Sequence, residues 1–403
     1  MLPAPDRPRP PPRPALPRAI WVLGFVSLLM DVSSELIHSL LPLFLVGPLG
    51  ISVRTVGLIE GLAESTALIV KVFSGVLSDY LRQRKRLALL GYALGALSKP
   101  AFALAQGAGL VVAARFIDRV GKGIRGAPRD ALVADLVPAA QRGAAYGLRQ
   151  SLDTVGACIG PLLATALMLL FAGDFRTVFW IAVLPAGLAV ALLGFGVREP
   201  EAAARAAAPP PLRRAALRRL RGPYWAVVLI GGLFTLARFS EAFLVLRAGQ
   251  LGVAASFVPL VMVAMNLVYA FSAYPFGKLA DTMSHATLLA WGLLALIAAD
   301  LLLALAVGWP LLLLGIALWG LHMGMTQGLL AAMVADTAPP ELRGTAFGLF
   351  NLVSGLAMLA ASSIAGLLWD GLGAAATFLA GAGFATTTLL ALAAWTLLHR
   401  AER

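Results

Sequence analysis

The sequence predicts an all-α membrane protein of twelve transmembrane helices, set out as two parallel six-helix halves. Three observations carry that expectation. Of 403 residues, 60% are hydrophobic and 13% are charged, which is more apolar than a soluble domain of this size can hide in its core. Apolar stretches of the roughly 20 residues needed to cross a hydrocarbon layer about 30 Å thick recur from Ile20 to Leu398 with short connections. The later part of the chain also repeats the earlier part at a constant offset.

Residues 1–18, MLPAPDRPRPPPRPALPR, hold no apolar run and are expected to form a solvated, partly polyproline-like tail. The first span, 20–45, is too long for a signal-peptide core and has no small-residue cleavage pattern behind it, so it reads as a retained helix. It carries Asp31, Glu35 and His38 at i, i+4 and i+7 on one face. The second span, 55–78, holds Glu60, Glu64 and Lys71 and runs into a loop with Arg82, Arg84, Lys85 and Arg86; the third, 87–105, holds Lys99. The fourth, 109–136, reads ARFIDRVGKGIRGAPRDALVAD in its charged part. Arg115, Arg119, Lys122, Arg125 and Arg129 follow steps of four, three, three and four, which stacks them on one helical face. That face is excluded from lipid, because each unpaired charge at the bilayer centre costs at least about 2.5–3.5 kcal/mol. The fifth span, 143–171, has Arg149 and Asp153 at i, i+4, and the sixth, 177–197, closes a first half of residues 19–197.

A Pro- and Arg-rich linker, 198–223, leads to the second half, 224–398. Its spans are placed at 224–247 with Arg238 and Glu241, 254–276, 286–307 with Asp300, 310–335, 344–369 and 373–398, leaving 399–403 as the C-terminus. In the tenth span His322 and Gln327 lie among Gly320, Gly324 and Gly328, and His322 reads either as a cavity residue or as a packed one. The net charge of +12 is gathered by membrane side rather than on one folded surface, which argues against nucleic acid as a partner. The tail, the Arg82–Arg86 loop and the Arg198–Arg221 linker are basic, while the opposite side shows little beyond Arg54, Arg176 and Arg247. By the positive-inside rule both termini are expected in the cytoplasm. The single cysteine, Cys158, allows no intrachain disulfide, and it and the four histidines show no metal-ligand spacing.

The repeat is explicit. Val133-Ala134-Asp135 recurs as Val334-Ala335-Asp336, Arg142-Gly143 as Arg343-Gly344, and Ala145-Tyr146-Gly147-Leu148 as Ala346-Phe347-Gly348-Leu349, all 201 residues later. Gly75-Val-Leu-Ser-Asp79 returns as Gly277-Lys-Leu-Ala-Asp281 at an offset of 202. An even number of helices between the copies makes the halves parallel, the arrangement in which two bundles rock about a site near the bilayer midplane.

With these residues the chain resembles the major facilitator superfamily from its first span to its last. The family's loop signature, G-x-L-x-D followed by basic residues, matches Gly75, Leu77, Asp79, Arg84 and Lys85, although its later glycine is replaced by Arg82 or Gln83. The resemblance implies that Asp79 and its neighbours bridge helix ends on the cytoplasmic side and act as a conformational gate, with Gly277 and Asp281 as the second copy. Gly147, Gly156 and Gly160-Pro161 in the fifth span resemble the signature of the drug:proton antiporter branch, except that its trailing Gly-Gly is Ala164-Thr165. Read physically, the same residues are small-residue packing with a proline bend. Arg115 matches an arginine that the family links to proton transfer, in the pattern R-F-x-x-x-x-G.

The internal copy is a control for the fourth span. At the offset of 201 its five cations become Ile316, Gly320, Met323, Thr326 and Leu330, so a helix in this place folds without charge. The row therefore reads either as a site for a carboxylate or phosphate or as a structural network neutralised by Asp118, Asp130, Glu60, Glu64 and Asp153. Asp31, Glu35, Asp153, Glu241 and Arg115 are the candidates for proton coupling. Arg119, Lys122, Arg125, Arg129, Arg149, Arg238, His322 and Gln327 are the candidates for the substrate path. The resulting expectation is a monomeric secondary carrier of the cell inner membrane, a proton-coupled antiporter exporting a small organic compound. It uses no cofactor beyond the proton gradient and meets lipid, substrate and no nucleic acid. An organic-anion, organophosphate or siderophore-type carrier, including an importer, is the alternative. An enzyme would need a nucleophile and base, a metal cluster or a cofactor loop, and none is read in the sequence.

Overall fold

The computed structural model of the chain describes residues 16–81, 83–138, 141–199, 220, 222–280, 282–339 and 342–401. The expectations for the tail before residue 16, most of the 198–223 linker, Arg82, Asp281, the last two residues and the Asp79 side chain lie outside the described residues.

The described residues are helical, with no strand among them. Ten helical stretches, kinked pairs taken together, are long and apolar enough to cross a membrane. Two more, Val53–Leu81 and Ala108–Leu136, have 29 residues each, ample length at about 1.5 Å per residue. The remaining spans are Arg18–His38 with Leu41–Val46, Arg84–Leu104, Arg142–Leu170, Phe175–Ile181 with Val183–Gly196, Gly222–Ala237 with Ala242–Gln250, Leu260–Ala280, His285–Leu305, Trp309–Thr326 with Leu329–Thr337, Arg343–Leu372 and Ala374–Ala401.

Where the helices depart from the sequence expectation, local chemistry accounts for most of it. The first span breaks at Ser39–Leu40 because Pro42 lacks an amide donor and crowds the carbonyl four residues back; Pro185 acts likewise on the sixth span at Ala182. The eighth span begins at Leu260, not 254, since Pro259 disfavours helical backbone in the residue before it. The tenth breaks at Gln327–Gly328, where Gly328 takes φ +75°, a region open to glycine without steric cost. The seventh span, expected to be continuous over 224–247, opens at Arg238–Ser240. There the Ser240 amide donates to Ser362 Oγ at 3.1 Å and the Ala242 amide to Ser240 Oγ at 3.3 Å. Hydroxyls thus satisfy amides that a regular helix would have used. Asp174 starts the sixth span by accepting from the Arg176 amide at 3.0 Å and from Thr177 Oγ1 at 2.5 Å.

Small residues decide which spans touch. A Cβ on Gly156 would lie 2.6 Å from Leu28 O and 3.1 Å from Asp31 Cβ, and one on Gly160 would lie 2.7 Å from Glu35 Cβ. The fifth span therefore presses directly on the acidic face of the first. Gly147, by contrast, has open space where a Cβ would go. Gly91 and Gly121 seat the third and fourth spans together in the same way, each Cβ position being 2.6 Å from the other residue's carbonyl. Across the halves, the second span packs along the eleventh: a Cβ on Gly61 would meet Leu359 O at 2.9 Å, and one on Gly366 would meet Val53 O at 2.9 Å. Asn266 Nδ2 joins the eighth span to Ala157 O of the fifth at 3.1 Å. At the end of the bundle away from residue 18, Leu41–Val46 packs on Ala242–Gln250, and the Arg54 amide donates to Asp370 Oδ2 at 2.9 Å. These contacts join the halves at that end.

Candidate functional site

The fourth span places its cations against four neighbours, and each neighbour treats them differently. Towards the second span, Arg115 Nη2 donates to Glu60 Oε2 at 2.6 Å and Arg119 Nη2 lies 2.9 Å from Glu64 Oε1. Ser240 Oγ, from the break in the seventh span, also donates to Glu60 Oε2, at 3.2 Å. Towards the first and third spans, Asp118 accepts from Lys99 Nζ at 2.8 Å, and Lys99 also reaches Ser34 Oγ at 3.1 Å. His38 bridges this group, with Nε2 3.6 Å from Asp118 Oδ2 and Nδ1 3.8 Å from Glu35 Oε1. Glu60, Lys99, Arg115, Asp118 and Arg119 are each no more than 4% exposed. At such burial, mutual pairing offsets a desolvation cost of several kcal/mol per ion.

Nearer the basic end, Arg129 lies 3.2 Å from Asp130 and 3.9 Å from Asp153, and Arg149 lies 3.8 Å and 3.3 Å from the same two carboxylates. Arg125 stacks its guanidinium 4.9 Å above the Tyr92 ring. The ladder is thus largely neutralised within the first half.

One cation of the row differs. Lys122 is exposed and makes no ion pair among the described residues, and it opens onto a cavity of about 230 Å³ between the halves. The first half contributes Glu35, His38, Glu60, Glu64, Arg115, Arg119 and Lys122 to its wall. The second contributes the broken stretch Arg238–Ala242, with Val245, Met262, Trp319 and Met358. Arg238 holds its guanidinium 5.6 Å from the Phe234 ring centroid. No carboxylate among the described residues lies within ion-pair distance of it, and Glu241 likewise has no such partner. A charged wall with one free ammonium thus faces an aromatic and thioether wall that carries one arginine and one glutamate of its own. Such a chamber accepts a small organic compound with a polar or ionised group at one end and an apolar body at the other.

Of the residues singled out from sequence, Glu35, Arg115, Arg119, Lys122, Arg238 and Glu241 meet on this cavity. Asp31 packs against Gly156 and faces Asp153 on the fifth span, and Asp153 in turn lies beside Arg129 and Arg149. His322 is fully buried, with Phe234 and Trp319 centroids at 6.0 and 5.8 Å, so it sits behind the wall rather than on it. Gln327 is exposed at the break of the tenth span. Among the loop-signature residues, Gly75 lies on the second span beside Ala127 of the fourth, and Gly277 has open space where a Cβ would go. Arg84 Nη1 is 2.6 Å from Asp135 Oδ2 and donates to Ala131 O at 2.9 Å, tying the third span to the fourth. The repeat places His285 and Asp336 at the equivalent positions, 3.4 Å apart. Phe239, Ser240, Met262, Trp319 and Met358 were not read from sequence as site residues. The repeat carries the signal for one of them, because the offset of 201 maps Asp118 onto Trp319.

Comparison with known proteins agrees with this architecture. The family model described as Major Facilitator Superfamily matches residues 23–248 and 240–403. An uncharacterized MFS-type transporter of Methanocaldococcus jannaschii is 32% identical over 360 residues, 88% of this chain and 89% of that one. Among solved structures, a POT family transporter in complex with a thioalcohol-conjugated peptide superposes with a TM-score of 0.78 at 14% identity, covering 95% of this chain and 96% of that one. A bacterial homologue of the human lysosomal transporter Spinster, inward-facing and unoccupied, does so with a TM-score of 0.70 at 16% identity, covering 93% and 94%. At these identities the structures speak for the fold, and the family rests on the sequence matches: the chain belongs to the Major Facilitator Superfamily and is a multi-pass secondary transporter.

Proposed function

We propose that the chain is a proton-coupled antiporter that exports a small organic compound by alternating access across the cell inner membrane, working as a monomer with both termini in the cytoplasm. The observation that carries this reading is the placement of Glu35 and Glu241 on opposite walls of one cavity that Lys122 also lines, neither glutamate within ion-pair distance of an arginine or lysine among the described residues. In a confined site of low dielectric, a carboxylate without an arginine or lysine partner gains from taking up either a proton or a substrate cation. Substrate and proton then compete for the same groups, and that competition is what exchange requires. Asp31 and Asp153, facing each other along the first and fifth spans, supply a relay towards the basic end. The close contact that Gly156 and Gly160 allow holds this acidic face against the fifth span.

The test is transport in proteoliposomes with an imposed pH gradient, screening organic cations against organic anions. Asp31→Asn and Glu35→Gln are each expected to impair pH-driven exchange while leaving the protein inserted and folded. If counterflow and proton uptake survive both changes, the first span does not carry the proton.

Lys122 and Arg238 favour a second reading, an organic-anion, organophosphate or siderophore-type carrier, because both cations face the cavity without a carboxylate partner. Accumulation of an anion that does not depend on the pH gradient would select it.

A further inference from the structure

Asp300 lies in the ninth span, outside the cavity, and its surroundings are unlike those of any other carboxylate described above. It is 0% exposed, and neither carboxyl oxygen has a hydrogen-bond partner among the described residues. Among the described residues no lysine, arginine or histidine lies within ion-pair distance of it. The arginines of the seventh span are committed elsewhere, Arg247 to the carbonyls of Leu303, Ala304 and Ala306 and Arg238 to the Phe234 ring. His322 of the tenth span lies against Phe234 and Trp319.

The repeat makes this isolation informative. The offset of 201 carries Lys99 onto Asp300 and Asp118 onto Trp319. In the first half the buried ionisable group is satisfied twice, by Asp118 at 2.8 Å and Ser34 at 3.1 Å. In the second half an ionisable group is kept and its ion-pair partner is gone, since Trp319 stands in the place of Asp118 and its Nε1 has no partner among the described residues. A structural ion pair explains Lys99 and leaves Asp300 without a structural role. An ionised carboxylate with no partner is among the most costly groups to bury, so Asp300 bears charge only while water reaches it.

The cavity residue that stands beside it is Phe239. A Cβ on Gly381 of the twelfth span would lie 2.5 Å from Asp300 Oδ2 and 2.9 Å from Phe239 Cε1, so the carboxyl and the ring edge meet over that glycine. Phe239 belongs to the break of the seventh span and lines the cavity. Phe243, Trp319 and Phe378 hold it at centroid distances of 5.4, 5.4 and 5.6 Å.

We propose that Asp300 is a second proton-binding site, in the C-terminal half, which exchanges its proton only when movement of the seventh-span break lifts Phe239 away from Gly381. Its place in the transport cycle rests on the proton-coupled reading above, and the two are separable by experiment. Because Phe239 lines the cavity and flanks Gly381 together with the carboxyl, a substrate that packs on the ring biases access to the proton.

The experiment uses the full chain in lipid nanodiscs without substrate. Spin labels at Pro48→Cys and Ala255→Cys, in a Cys158→Ser background, report the separation of the two halves at the end away from residue 18 as pH is varied. The labelled protein is expected to show two pH-dependent steps in the distance distribution. Asp300→Asn should remove one, and Glu35→Gln with Glu241→Gln should remove the other. Infrared spectra of the same samples should lose one protonated-carboxyl C=O band in Asp300→Asn. If both steps and the band survive in Asp300→Asn, the proposal is overturned while the cavity reading stands. If the glutamate variants keep both steps and Asp300→Asn loses one, the cavity reading fails instead. Should Asp300→Asn not fold, Gly381→Ala serves: its methyl presses on Oδ2 and should displace only the Asp300 step. Two unmoved steps in that variant refute the site.

Discussion

Arg115 and Lys122 lie seven residues apart on one helix face, yet their replacement should have opposite consequences. Arg115→Gln strands Glu60, which is 3% exposed and, among the described residues, keeps the Ser240 hydroxyl at 3.2 Å. Removing one member of a buried pair costs about 3–5 kcal/mol, and the remaining hydroxyl argues for the lower end, about 3 kcal/mol. For a unit of 150–250 residues, the size of each half, about 2–4 °C of melting temperature is lost per kcal/mol, so a fall of about 6–12 °C is expected. Lys122→Gln breaks no pair, and a change of that kind stays within about 0.5 kcal/mol. Its cost should fall on binding instead. A charge-assisted hydrogen bond contributes about 1.5–3 kcal/mol, so KM for an anionic substrate should rise about 10- to 150-fold, with little change for a neutral one. Thermal unfolding in detergent and uptake into proteoliposomes measure the two effects separately. Adding Glu60→Gln to Arg115→Gln should recover part of the lost stability. Equal melting losses in the two single variants, or unaltered anion transport by Lys122→Gln, would refute the division of the ladder into paired and free cations.

Two further outcomes follow from the packing and the charge asymmetry. Gly160→Val should destabilise by about 1–3 kcal/mol through overpacking, because its Cβ meets Glu35 Cβ at 2.7 Å, whereas Gly147→Ala, with open space at that point, should be silent in the same melting assay; equal effects would remove the steric role of the fifth-span glycines. A reporter fused after Arg86 should be cytoplasmic and one after Ala108 or Trp309 periplasmic, and any reversal would sink the twelve-span orientation.

Much of the architecture was legible because lipid is an unforgiving solvent. The spans at Arg84–Leu104 and Arg142–Leu170 agree with their apolar runs to within a few residues, since the cost of exposing backbone to hydrocarbon leaves little freedom in where a helix ends. The break at Ser39–Leu40 is traceable to Pro42. The opening at Arg238–Ser240 has no proline or glycine to announce it. It depends on Ser362, 122 residues away, accepting the freed amide, a contact that no local pattern encodes.

The sequence by itself determined that the charges of the fourth span share a face, that this face avoids lipid and that carboxylates elsewhere answer it, because helical periodicity and the cost of a lone ion in hydrocarbon are local facts. Tertiary structure decided which carboxylate meets which cation. Glu60 and Glu64 of the second span take Arg115 and Arg119, Asp118 takes Lys99, and Lys122 is left facing the cavity. The difference is one of range. Pairing of buried charges falls off over a few ångströms, so it is settled by how the glycines of neighbouring spans let backbones approach, and that exists only once the halves are packed.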